Sequence, residues 1–393
     1  MQATGYCMLL PGPEAQQLAT YVGWTLHGVR GGLAAGGLFI LPGFLSILAL
    51  SIAYTKFGDV PAIEGMLFGL KAAVLGIVLH AVWRLRQRVL RGRGSVVIAL
   101  CAFLAMFVFG VPFPIVIASA ALLGMTKRIE AGGHHAAGEP ASTTAVSMPA
   151  SSGPALKGWR LARTAIVWLA IWLVPIGLLA LVFDTGHVLV REATFFSRTA
   201  VITFGGAYAV LSYVAQQAVE VYGWLSPSEM LDGLGLTETT PGPLIQVVQF
   251  VGFLGAFREP GSMNPLLAGI LGSIVTMWVT FAPCFLFIFA GAPMIEHLSR
   301  WPRVQSALNG ILAAVVGVIL NLGLWFAVHT LFAEVRPITR GIVDLEVPVW
   351  SSIDWPALAL TVIATFALFR LRAGLFAVIL GGAGLGWLVR TLL

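Results

Sequence analysis

Of the 393 residues, 58% are hydrophobic and 10% are charged, against about 25% charged in an ordinary soluble domain. With a mean hydropathy of +0.91, this excludes a water-soluble globular fold and points to an all-α polytopic membrane protein of about 10–12 transmembrane segments. The net charge of +6 does not signal nucleic-acid binding here, because positive charge collects on the cytoplasmic loops of membrane proteins.

The N-terminal Met1-Gln2-Ala3-Thr4-Gly5-Tyr6 carries no basic stretch ahead of an apolar run, so no cleavable signal peptide is evident. Apolar stretches near the roughly 20-residue spanning length cover 31–54, 63–83, 161–183, 199–219, 266–291, 305–332 and 374–393. Shorter ones lie at 9–29, 242–257 and 355–369. The stretch Val96–Met125 is too long for one straight span, and Pro112 and Pro114 divide it into a hairpin of two short helices. Residues 126–158, rich in Ala, Gly, Ser and Pro, read as a flexible cytoplasmic linker. His134 and His135 within it lack the further ligands of a metal site. Cys7, Cys101 and Cys284 have no metal-ligand spacing and read as small apolar packing residues. No cofactor is implied.

The linker separates two halves that repeat. Leu10-Pro11-Gly12-Pro13-Glu14-Ala15-Gln16 is answered by Thr240-Pro241-Gly242-Pro243-Leu244-Ile245-Gln246, and Pro42-Gly43-Phe44 by Pro283-Cys284-Phe285. The run from Gly69 to Val78 is answered by the run from Gly310 to Ile319. The first match is offset by 230 and the others by 241, so an insertion near Arg258–Pro265 is expected. Segment 84–95 holds five arginines and no acid, which places it in the cytoplasm. Counting spans from there puts 126–160, 297–303 and 370–372 inside and 333–354 in the periplasm. The helix at 161–183 is then an odd additional crossing. The organisation is therefore a first repeat at 1–125, the linker at 126–158, an inverting transmembrane helix within 159–190 and a second repeat at 191–393. Inverted repeats with broken helices are the arrangement of many secondary transporters. The second half has 45 residues, 191–235, ahead of its Pro-Gly-Pro against ten in the first, and a truncated N-terminus is the expectation.

Each Pro-Gly-Pro starts a helix inside the protein, because a proline at the first helical position gives up an amide that would be unpaired anyway. Such a start presents free amides and a positive dipole end to an anion. Pro11, Gly12 and Pro13 would form one site wall and Thr240, Pro241, Gly242 and Pro243 the other, with Gln16 and Gln246 as amide donors and Thr239 as a further hydroxyl. Lys71, an intramembrane cation, would face a bound dianion or pair with Glu14, and Glu14 itself is a candidate proton-coupling group. Asn321, Arg30, Arg258, His80 and His329 read as packing or interfacial residues. No nucleophile–base pair, metal cluster or nucleotide fingerprint appears, so an enzyme is not expected.

These segments resemble the chromate ion transporter family, in its long two-domain form. The resemblance is carried by Tyr6–Ala19, Phe39–Gly43, Phe204-Gly205-Gly206, Trp224-Leu225-Ser226, Thr240–Leu244 and Thr280–Phe285. It implies a carrier in the bacterial inner membrane that exports chromate, driven by protons, and confers chromate resistance; the alternatives are a sulfate or other oxyanion permease, or a truncated homologue that does not transport. The expected partners are the anion, protons and membrane lipid, with room for a homodimer and none for nucleic acid. The family's first Phe-Gly-Gly-Pro is absent upstream of Pro11, and Ala207 stands where that proline occurs in the second copy.

Overall fold

The computed structural model describes residues 10–58, 60–126, 158–203, 206–291, 301–340 and 343–392. Cys7, His134, His135, Phe204 and Gly205 lie outside the described residues, as do 297–300 of the segment 297–303. In chain order the helices begin with α1 (Glu14–Phe57), α2 (Pro61–Val89), α3 (Arg93–Phe107), α4 (Phe113–Thr126) and α5 (Gly158–Val182). The second half contributes α6 (Val188–Ile202), α7 (Ala207–Gln216), α8 (Pro227–Glu238), α9 (Val247–Arg258), α10 (Pro265–Leu286) and α11 (Pro302–Leu331). Strands β1 (Val335–Arg340) and β2 (Val343–Pro348) come next, then α12 (Trp355–Phe369) and α13 (Leu375–Leu392).

Six of these helices are long and apolar enough to cross a membrane, and four more are shorter and apolar. Large apolar side chains such as Leu38, Leu122, Leu181 and Leu380 point outward, as lipid contact requires and water contact does not. The protein is an all-α, multi-pass membrane protein.

Local chemistry sets the helix ends. Ser226 and Glu229 form a reciprocal capping box, with Pro227 in the first turn. Asn264 accepts from the Leu266 amide at 3.0 Å ahead of Pro265, and Asp354 accepts from the Ala357 amide at 2.9 Å. Within α1, His27 and Gly28 leave helical geometry, Gly28 at φ +63°. In the second half, α9 and α10 are separated by the segment between Arg258 and Pro265.

Two features depart from the sequence reading. The stretch 199–219, a single crossing by hydropathy, is interrupted between Ile202 and Ala207. The segment 333–354, a plain loop by the same reading, contains an antiparallel hairpin with Val335 opposite Pro348 and Ile338 opposite Leu345; its β-branched residues favour strand geometry.

The break makes α6 and α7 a re-entrant pair. Arg191 near the start of α6 lies over the rings of Tyr222 and Trp224 beyond α7, at 5.3 and 6.0 Å. Arg258 at the end of α9 donates to the Trp224 carbonyl at 2.9 Å and pairs with Glu229 at the start of α8. Arg191 also pairs with Glu259 at 2.8 Å. The outer ends of both hairpins, α6–α7 and α8–α9, therefore lie together at one face.

Glycines set the long-range packing. A Cβ at Gly69 on α2 would collide with the Gly382 carbonyl of α13 and stand 2.8 Å from the Gly386 Cα. A Cβ at Gly310 on α11 would collide with the Ala120 carbonyl of α4 and stand 3.1 Å from the Gly124 Cα. Thus α2 packs on α12 and α13, while α11 packs on α3 and α4, through the small-residue contacts typical of membrane helices. Gly69→Leu is expected to destabilise the fold by at least the about 1–3 kcal/mol of overpacking. Gly381→Leu, where a Cβ meets nothing within 4 Å, should leave the thermal midpoint of the detergent-solubilised protein unchanged.

Candidate functional site

Helix starts converge around the three breaks. The helix after Pro13 begins at Glu14, and a short 3-10 turn after Pro243, Leu244–Gln246, leads into α9. Gly12 and Gly242 adopt φ of +124° and +154°, conformations that glycine alone adopts cheaply. The first helical bonds run from the Gln17 amide to the Pro13 carbonyl at 3.1 Å and from the Gln246 amide to the Pro243 carbonyl at 2.9 Å. The amides of Ala15, Gln16, Leu244 and Ile245 lie ahead of them, at the positive end of each helix. The Gly12 amide donates to the Thr203 carbonyl at 2.8 Å, which ties the first turn to the α6–α7 tip, where α7 starts from Gly206 at φ +99°. The other side of that tip is held by Tyr208, whose hydroxyl donates to Glu238 Oε1 at 2.7 Å.

Each Pro-Gly-Pro also rests on a proline-bearing stretch of the opposite half. A Cβ at Gly12 would stand 3.0 Å from Cys284 Sγ on α10, next to Pro283. Gly242 approaches Gly43, next to Pro42 of α1, with 3.3 Å from its Cβ position to the Gly43 Cα. The two turns differ in access: Gly12 and Pro13 are buried, whereas Pro241 and Gly242 are exposed.

The side-chain donors expected at the site are engaged elsewhere. Gln16 Nε2 donates to Thr20 Oγ1 at 2.9 Å, and Gln246 Nε2 donates to the Ile40 carbonyl at 2.9 Å. Thr239 and Thr240 donate to the carbonyls of Leu236 and Thr237. What remains toward a ligand is backbone amide. Gln17, Gln246 and Gln249 serve the scaffold: Gln17 donates to the Pro11 carbonyl at 2.6 Å, and Gln249 to the Phe44 carbonyl at 2.9 Å.

Lys71 departs most from the sequence expectation. Its ammonium lies 3.4 Å from Asp232 Oδ1 and donates to Ser228 Oγ at 2.7 Å. Tyr54 donates to Asp232 Oδ2 at 3.0 Å. The protein group that answers the charge of Lys71 is thus an acid on α8, not Glu14. Asp232 escapes a sequence reading because 227–238 is too short and mixed to register as a span, so an acid there draws no attention. Glu238 and Tyr208 escape it for the same reason. Glu14 occupies the first turn of α1, half-buried, where a carboxylate also suits the dipole.

The remaining candidates have ordinary roles, apart from Asn321. His80 meets Phe369 edge-on at 5.1 Å, and His329 lies 3.6 Å from Glu346. Asn321 lines a cavity of about 300 Å³ between α7, α11 and the strand hairpin, with Ser212, Gln216, Glu220, Trp325 and Glu346. No group of three or more His, Cys, Asp or Glu suited to a metal occurs among the described residues.

The sequence model of a family described as "Chromate transporter" matches residues 1–125 and 190–387. The chain belongs to the chromate transporter family. It is 30% identical over 314 residues to a chromate transport protein of Pseudomonas aeruginosa, covering 79% of this chain and 67% of that one. It is 26% identical to the chromate transport protein of Cupriavidus metallidurans, covering 79% and 68%. A probable chromate transport protein of Synechococcus elongatus is also 26% identical, over 79% and 69%. No solved structure matches this chain.

Proposed function

We propose that this family member is a proton-coupled secondary carrier that exports chromate across the bacterial inner membrane and thereby confers resistance. The observation that carries the reading is the pair of Pro-Gly-Pro helix starts, the first bonded to Thr203 at the α6–α7 tip and the second preceded by α8, which Tyr208 of α7 holds through Glu238, in a chain whose relatives are named for chromate transport. Tetrahedral dianions suit such starts because several amides and aligned dipoles act together in a site sheltered from water. The anion would sit against Pro11–Pro13 and Thr240–Pro243, with Gln16 and Gln246 shaping the walls and the helix start at Gly206 adding a third. Glu14, beside the first turn, is the proposed coupling group.

The halves 1–125 and 191–393 are proposed to be inverted repeats, with α5 as the crossing that inverts the second. Supporting this, Gly69 meets residues 382 and 386 as Gly310 meets residues 120 and 124. Segments 84–95, 126–160, 297–303 and 370–372 are assigned to the cytoplasm on their charge. The strand hairpin and the loops at Arg191, Trp224 and Glu259 are assigned to the periplasm.

Inside-out vesicles test the reading. Uptake of chromate driven by a pH gradient is expected in wild type, and sulfate competition reads the breadth of anion acceptance. Gly12→Leu/Gly242→Leu is expected to reduce uptake by about a hundredfold, the scale of loss when binding groups are displaced by an ångström. Wild-type uptake in that variant would overturn the site.

A further inference from the structure

Glu192, an acid that no sequence motif singles out, is fully buried on α6. Apart from a grazing approach of the Ala256 amide, neither carboxylate oxygen has a hydrogen-bond partner. Its walls are made of small residues. A Cβ at Gly255 on α9 would stand 2.8 Å from Oε1, and one at Gly272 on α10 would stand 3.0 Å from Oε2. The charges that face it are Arg191 on its own helix and Glu259 at the end of α9. They are already paired with each other at 2.8 Å. From α10 the polar neighbour in this layer is the Thr276 hydroxyl, packed against Gly252. From the connection after α7 it is Trp224, whose ring also abuts Gly255 and whose indole nitrogen has no acceptor.

An ionised carboxylate without a free cation or donor in such surroundings costs several kcal/mol or more. A purely structural role does not call for a carboxyl, since leucine or glutamine would fill a similar volume without it. One residue before Glu192, the Arg191–Glu259 pair is partly exposed, at 30% and 44% of the side chains. Gly255 on α9 and Gly272 on α10 let these helices approach α6 closely at this layer.

We propose that Glu192 is a proton-binding site of the transport cycle, loaded in the conformation described here and emptied to water past the Arg191–Glu259 pair when α6 shifts against α9 and α10. This rests on the proton-coupled reading above and gives it a second carboxyl, remote from Glu14. The proton passes from the Glu192 carboxyl to a water at the Arg191 face, leaving a carboxylate that the released Arg191 guanidinium can face, and it is regained when the chamber closes.

Two measurements on the full chain in proteoliposomes decide it. The infrared carbonyl band of a buried protonated carboxyl should be present in wild type and absent in Glu192→Gln. A wild-type spectrum without the band, or a Glu192→Gln spectrum identical to wild type, overturns the site. In transport, Glu192→Gln should keep chromate counterflow without a pH gradient but lose accumulation driven by one, and Glu192→Asp should regain part of that response. Gradient-driven accumulation at the wild-type level in Glu192→Gln overturns the proposal. If wild type moves no chromate, the transport reading fails on its own, while the infrared band still decides whether Glu192 holds a proton.

Discussion

Lys71→Met is expected to destabilise the protein by about 3 kcal/mol, the lower end of what removing one partner of a buried ion pair costs. The lower end applies because Lys71 keeps 20% of its side chain exposed while Asp232 keeps 4%. The loss comes mainly from stranding the Asp232 carboxylate, which would retain Tyr54 as a donor but no cation. Removing both charges in Lys71→Met/Asp232→Leu should recover most of the loss, as replacing buried pairs by apolar residues commonly does. A double-mutant cycle on unfolding of the detergent-solubilised protein measures the coupling. Unchanged stability in Lys71→Met would show that the pair does not hold α2 to α8. The same variant separates two roles: an ammonium that binds anion directly would alter chromate affinity in the double variant even where stability returns.

Gly43→Ala is expected to reduce transport by about a hundredfold with a smaller loss of stability, about 1–3 kcal/mol. The new methyl would collide with Gln246 Oε1 and stand 2.7 Å from the Pro241 carbonyl. The glutamine side chain can turn aside, but the Pro241 carbonyl is backbone and belongs to the second Pro-Gly-Pro itself. The substitution therefore pushes on the proposed site from behind, through Pro241 and Gln246 of its own wall. Gly37→Ala on the same helix, where a Cβ meets nothing within 4 Å, is the matched control. Chromate uptake at the wild-type rate in Gly43→Ala would show that the turn has no fixed position to lose.

The half-helix starts are legible in the sequence because proline constrains its own backbone: Pro13 and Pro243 leave the chain few conformations at each start. The α3–α4 hairpin is legible from Pro112 and Pro114 on the same ground. The interruption in 199–219 is harder to see, because glycines in an apolar run read equally well as packing positions and as a break. The strand hairpin is hidden since polar residues in 333–354 mask the β-branched alternation. The acids Glu192 and Asp232 cannot be placed from sequence at all. Whether a carboxyl is buried depends on partners distant in the chain: Gly255 and Gly272 for Glu192, Lys71 and Tyr54 for Asp232. Hydropathy averages erase a single acid inside a short helix.

The exchange of partners, α2 with α12–α13 and α11 with α3–α4, gives the molecule the character of a dimer made within one polypeptide. Neither half covers the glycine faces at Gly69 and Gly310 by itself, so each would be an incomplete folding unit alone. Covalent connection raises the effective concentration of one half at the other. A chain cut between Thr126 and Gly158 should therefore assemble more weakly, by mass action, and two separately synthesised halves should find each other in the bilayer as subunits do.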